Sequence, residues 1–109
     1  MCRALILLIA LASWPSIAAA LEPRDIVGKW RSSFGATAEY HADFTYEGHF
    51  MDEIGGGKWQ LRRGDTLRLS TYSYHWKKTF TEDYKILSLA KGVMRLKTPE
   101  GVELWFRQK

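Results

Sequence analysis

The sequence predicts an all-β fold, a small antiparallel up-and-down meander of about eight strands forming a barrel or half-barrel. Three observations predict it. Beyond residue 27, apolar residues recur at every second position, the period of a strand with one buried face. Turn-forming residues punctuate that alternation at hairpin spacing: Gly55-Gly56-Gly57, Arg63-Gly64-Asp65, Lys91-Gly92 and Thr98-Pro99-Glu100-Gly101. Helical spacing, by contrast, extends no further than a single turn at Pro23 to Val27. Sequential hairpins favour a barrel over a sandwich, because closure removes exposed strand edges. With no internal repeat, linker or low-complexity stretch, residues 21–109 form one domain.

Residues 1–20 read as a cleaved export signal. Arg3 supplies a positive charge, Ala4 to Ala12 is an apolar run, and Ala18-Ala19-Ala20 offers the small residues that a signal peptidase needs. The apolar run falls short of the roughly 20 residues that cross a bilayer, so no membrane span is expected after cleavage. The one cysteine, Cys2, leaves with the signal. An exported domain without a disulfide depends on burial alone, and four of the five tryptophans remain to supply it. Cysteine-free export points to a periplasmic or secreted protein, expected as a monomer. The chain carries 16 Lys and Arg against 12 Asp and Glu, a mild excess spread along its length that does not argue for nucleic acid.

Taken in order, the first strand carries Gly28-Lys29-Trp30. In the next two, Tyr40, Ala42 and Phe44, then Tyr46, Gly48 and Phe50, occupy one face. Pairing Tyr40 with Phe50 and Ala42 with Gly48 keeps both sets inside, with the reversal near Thr45. Gly55-Gly56-Gly57 breaks the run, after which Trp59 and Leu61 face the core. Arg63-Gly64-Asp65 turns the chain into Leu67 and Leu69. Phe80, Tyr84 and Ile86 share a face, but Leu87 and Leu89 fall on the other, which predicts a β-bulge at Ile86 to Ser88 or burial on both faces. Lys91-Gly92 reverses the chain into Met94 and Leu96. Pro99 suits a type I turn and Gly101 a bulge with positive φ. In the last strand Val102, Leu104 and Phe106 are expected inside, with Glu103, Trp105 and Arg107 outside.

Gly28-Lys29-Trp30 after a helical turn, Asp43-Phe44-Thr45-Tyr46, Gly57-Lys58-Trp59-Gln60-Leu61 and Tyr84 to Leu89 together resemble the pattern of small bacterial exported lipocalin-like (calycin-type) domains. The resemblance implies a binding barrel. It also implies a structural role for Gly28, Trp30 and Arg107, with the Arg107 guanidinium stacked on Trp30. Phe44 stands where that pattern has glycine, and the chain is shorter than a full lipocalin, so the implied cup is shallow.

No enzyme chemistry emerges. The serines have no nucleophile context, and Asp52-Glu53 and Glu82-Asp83 read as solvated charges flanking turns. His41 opposite His49 would put two imidazoles near carboxylates on an outer face, yet one hairpin cannot surround a metal. No catalytic residues, metal or cofactor are therefore expected. Two functions stay open. One is a module taking a small apolar ligand into a shallow cup lined by Tyr40, Phe50, Trp59, Leu69, Tyr84 and Phe106. The other is a solid barrel that contacts or inhibits a periplasmic protein through Tyr72, Tyr74, His75, Trp76, Lys77 and Lys78. The volume inside the barrel discriminates between them.

Overall fold

The computed structural model describes residues 20–73 and 76–109. The expected export signal therefore lies outside the described residues, apart from Ala20, and so do Tyr74 and His75. One helical turn, α1 (Pro23–Ile26), precedes eight strands: β1 (Gly28–Ser32), β2 (Thr37–Tyr40), β3 (Thr45–Phe50), β4 (Glu53–Arg62), β5 (Thr66–Ser73), β6 (Lys78–Ala90), β7 (Val93–Thr98) and β8 (Gly101–Gln108). Each strand pairs antiparallel with the next, and β8 returns to β1, so the sheet is a closed up-and-down barrel. Among the described residues no helix is long and apolar enough to cross a membrane.

Connectivity gives the barrel two unlike ends. Alpha-helical turn α1, the β2–β3, β4–β5 and β6–β7 turns and the start of β1 lie at one end; the other four hairpin turns lie at the far end. The first end is shut. Trp30 is fully buried there, and its indole N–H donates to the Ile26 carbonyl at 2.8 Å. Arg107, directly opposite Trp30 across the β1–β8 seam, lays its guanidinium 4.4 Å from the indole centroid. Its Nη1 also donates to the Val27 carbonyl at 2.8 Å and its Nη2 to the Asp25 carbonyl at 2.6 Å, satisfying oxygens that the short helix leaves open. Gly28 makes this approach feasible: its φ is +136°, and a Cβ there would stand 2.7 Å from Nη1. The three structural residues implied by the resemblance thus form one clamp. Leu67, Ile86 and Met94 fill the core beside it.

The turns follow their sequence chemistry. Arg63 and Gly64, like Lys91 and Gly92, both take positive φ, the twist that matches a tight hairpin. Gly101 has φ of +138°, where the bulge required glycine. The β6–β7 register shifts between Ile86 and Ser88, so a bulge separates the two parities in that strand.

Four expectations are corrected. The β2–β3 register is tighter than expected: Tyr40 pairs with Tyr46 and Ala38 with Gly48, and the chain turns through His41 to Phe44. Asp43 accepts from both the amide and the hydroxyl of Thr45, and Phe44 takes the left-handed conformation at φ 68°, which places Ala42 and Phe44 in the exposed turn. The displacement is an even number of residues, so Tyr40 and Tyr46 still face inward. Secondly, Gly55-Gly56-Gly57 does not break a strand. All three lie within β4, where a Cβ on Gly56 or Gly57 would fall 2.8 Å from the Tyr46 carbonyl or 1.9 Å from the Ser70 carbonyl; glycine here lets neighbouring backbones close in.

The third correction is the face of β8. Trp105 is buried, whereas Val102 is 53% and Phe106 39% exposed. Stacking Arg107 on the inward Trp30 puts residues 103, 105 and 107 on the inner face, because side chains alternate along a strand. Phe106 is thereby removed from the cup. Lastly, Glu82 and Asp83 sit within β6 rather than beside a turn, where Asp83 forms a two-pronged ion pair with Arg68 across the sheet.

Candidate functional site

The open half of the barrel contains a cavity of about 230 Å³. Its space comes from small residues at places where a barrel this narrow would otherwise be filled: Ala36 and Ala38 on or beside β2, Gly48 on β3 and Gly55 on β4. Large side chains form its walls. Tyr40 and Tyr46 stack with centroids 5.9 Å apart, and Tyr40 in turn meets the Trp59 indole edge-on at 5.8 Å. Toward the mouth, Phe34 packs edge-on against both Phe50, at 5.6 Å, and Trp105, at 5.9 Å. Leu69, Tyr84 and Leu96 complete the apolar lining.

Few polar groups enter this space. Glu103 lies opposite Leu96 on β7 and accepts a hydrogen bond from the Trp105 indole at 3.1 Å. The Tyr46 hydroxyl is bonded to the Thr71 hydroxyl, and the Tyr84 hydroxyl donates to Glu82. His49 and Glu53 also contribute to the lining. Burial pushes the Tyr40 phenol well above its ordinary range, with Tyr46, Tyr84 and Glu103 adding to the effect. Tyr84 is raised by burial and by its bond to Glu82, and Tyr46 by burial in spite of its bond to Thr71. All three present neutral phenols at physiological pH.

Of the residues expected in the cup, Tyr40, Phe50, Leu69 and Tyr84 line the cavity. Trp59 lies beneath it, 1% exposed, its indole donating to the His41 carbonyl at 3.0 Å, while Phe106 is on the outer face. Sequence reasoning missed Glu103 and Trp105 because it assigned β8 the wrong face, and it missed the small residues because an empty volume has no side chain to signal it. The Arg107 stack was the signal that could have found the first pair.

Of the aromatic and basic segment, the described residues Tyr72, Trp76, Lys77 and Lys78 lie at the open end, where β5 gives way to β6. Tyr72 is 42% and Trp76 67% exposed, and both border an outer groove with Glu53 and Ile54. Lys77 takes a left-handed turn conformation, and Lys78 places its ammonium 4.9 Å from the Phe80 ring centroid. The histidine pair does not assemble, since His49 pairs with Thr37 and His41 sits in a turn 3.9 Å from Glu39. Among the described residues no group of three His, Cys, Asp or Glu is placed to hold a metal ion. No family model, curated protein or solved structure matches the chain.

Proposed function

We propose that this protein is a non-enzymatic binding module, an exported lipocalin-like barrel acting in the periplasm or outside the cell, that takes one small, largely apolar ligand into its open half. The cavity of about 230 Å³ carries this reading, because a barrel built only as an interaction surface has no need of an unfilled interior. Its size lies between the roughly 150 Å³ that admits a benzene-sized guest and the roughly 300 Å³ at which drug-sized sites begin, so the ligand is on the order of one or two rings. The shut end supplies rigidity: the clamp of Trp30 and Arg107 holds the seam while the far end stays accessible.

Native mass spectrometry of the protein as purified, before and after denaturation, tests for a resident ligand by a mass that disappears. A second arm measures uptake of the neutral two-ring fluorophore 6-propionyl-2-dimethylaminonaphthalene by the wild type and by Gly48→Leu. A Cβ at Gly48 meets nothing closer than the Thr37 carbonyl at 3.8 Å, so a side chain can be attached there at ordinary contact distance, on a residue that lines the cavity. Uptake by the wild type and its loss in the filled variant are expected. Equal behaviour of the two proteins would move attention to the Tyr72 to Lys78 hairpin as the functional surface.

A further inference from the structure

We propose that the cavity selects a small organic cation, an amine or quaternary ammonium, with Glu103 as its counter-charge; the inference rests on the ligand-binding reading above. The distribution of charge points there first. The chain holds more Lys and Arg than Asp and Glu, 16 against 12, yet none of the residues lining the cavity is Lys or Arg. Its charged lining is Glu103 within and Glu53 at the mouth, beside the titratable His49. A basic protein that keeps its cations off one interior surface and sets a carboxylate there presents a negative potential to whatever enters.

The walls suit the same ligand. Tyr40, Tyr46, Tyr84, Phe50 and Trp105 line it with aromatic rings, and a cation within about 6 Å of a ring face is attracted by the ring's quadrupole. Neutral phenols at Tyr40, Tyr46 and Tyr84 add no charge that would compete with Glu103. Position matters too. Glu103 stands on β8 opposite Leu96, is half-buried, and is held by the Trp105 indole bond, so it acts as a preorganised charge on the cavity wall. A neutral guest would cover that carboxylate without compensating it, and an anionic guest would be repelled.

Calorimetric titration of the full chain with choline and with 3,3-dimethyl-1-butanol, its neutral carbon isostere, isolates the charge from the shape. The neutral two-ring fluorophore 6-propionyl-2-dimethylaminonaphthalene serves as the charge-blind reporter. The wild type should bind choline at least tenfold more tightly than the isostere. Glu103→Gln, which retains an acceptor for the Trp105 indole, should bring that ratio near one while still taking up the reporter. Glu47→Gln, exposed on the outer face of β3 and not part of the cavity lining, should leave the ratio within about twofold. Reporter uptake without a preference for choline, or a preference that survives Glu103→Gln, would overturn the cation assignment and leave the binding module standing. Failure of reporter, choline and isostere alike would overturn both. The wild-type comparison of choline with its isostere decides the matter even where Glu103→Gln fails to fold.

Discussion

Replacing Gly28 with alanine should destabilise the barrel by about 3–5 kcal/mol, and the structure divides that cost into two parts. The backbone part follows from φ of +136°, a conformation that L residues adopt only under strain, at about 1–3 kcal/mol. The second part is the collision with Arg107. A Cβ 2.7 Å from Nη1 forces the guanidinium away from Trp30 and from the carbonyls of Asp25 and Val27. Arg107 is exposed, so its stacking contributes about 0.5–1 kcal/mol and its two charge-assisted bonds, weakened by solvent, roughly 1.5 kcal/mol together, about half of what two such bonds give at the low end of the usual range. A double-mutant cycle separates the two parts. With Arg107→Ala already in place, Gly28→Ala should cost only the backbone strain, and the cycle should return a coupling energy of about 2 kcal/mol. Urea unfolding followed by tryptophan fluorescence measures all four proteins. Coupling below about 0.5 kcal/mol would refute the reasoning, since it would mean that Gly28 serves the backbone alone and not the passage of Arg107.

Three further predictions follow from the same physical terms. Gly57→Ala, whose Cβ would overlap the Ser70 carbonyl at 1.9 Å, should lower stability by about 3 kcal/mol, whereas Gly55→Ala, with 3.7 Å to the Thr71 methyl, should raise it by about 0.5 kcal/mol; thermal melts that fail to separate the two would show that β4 and β5 are not so closely apposed. At Phe44, glycine relieves about 1 kcal/mol of left-handed strain while losing the ring that packs 5.0 Å from Trp59, so Phe44→Gly should stay near the wild type and Phe44→Ala, which keeps the strain and loses the ring, should fall about 1 kcal/mol below it in urea midpoints. Alkali should unfold the protein early. Tyrosines in the unfolded chain ionise near pH 10, while buried Tyr40 keeps its proton above that, so stability is intact below pH 10 and declines as pH rises past it, by about 1.4 kcal/mol per pH unit for Tyr40. Phenolate absorbance at 295 nm that reaches its full amplitude for all five tyrosines while the fold is still intact would contradict this.

Local chemistry made much of the fold legible in the sequence. Each hairpin turn with Gly beside Lys, Arg or Glu is found where its residues placed it, and the parity conflict around Leu87 marked the bulge correctly, because such features depend on neighbours in the chain. The faults lie where neighbours do not decide. Phe44 takes a glycine-like conformation without being glycine, so in the turn that sets the β2–β3 register Asp43, bonded to Thr45, is marked in the sequence but the left-handed position is not. The glycine run of β4 serves close approach between strands, which spacing within one strand does not express. In β8, alternation alone fits either face, Val102 with Phe106 or Glu103 with Trp105, and only the contact of Arg107 with Trp30 across the seam chooses. The site was readable to the same extent. Tyr40, Phe50, Leu69 and Tyr84 could be placed by parity, while Glu103 depended on that seam.

The seam has a bearing on how the molecule reaches its native state. Every other pairing joins strands consecutive in the chain and can zip from its own turn, but β1 meets β8 only after the ends of the chain have come together, with Val27 and Arg107 80 residues apart. Loop closure over such a span costs more entropy than any hairpin, so the seam is expected to be the last pairing to form, and a barrel with that seam unmade is an open curved sheet with two unpaired edges. That species is the one at risk of pairing with its own copies. A clamp in which Arg107 stacks on Trp30 and binds two carbonyls from the far end of the chain acts as the latch that removes it, which makes the last three residues of β8 matter more for escaping aggregation than their exposure on the finished surface would suggest.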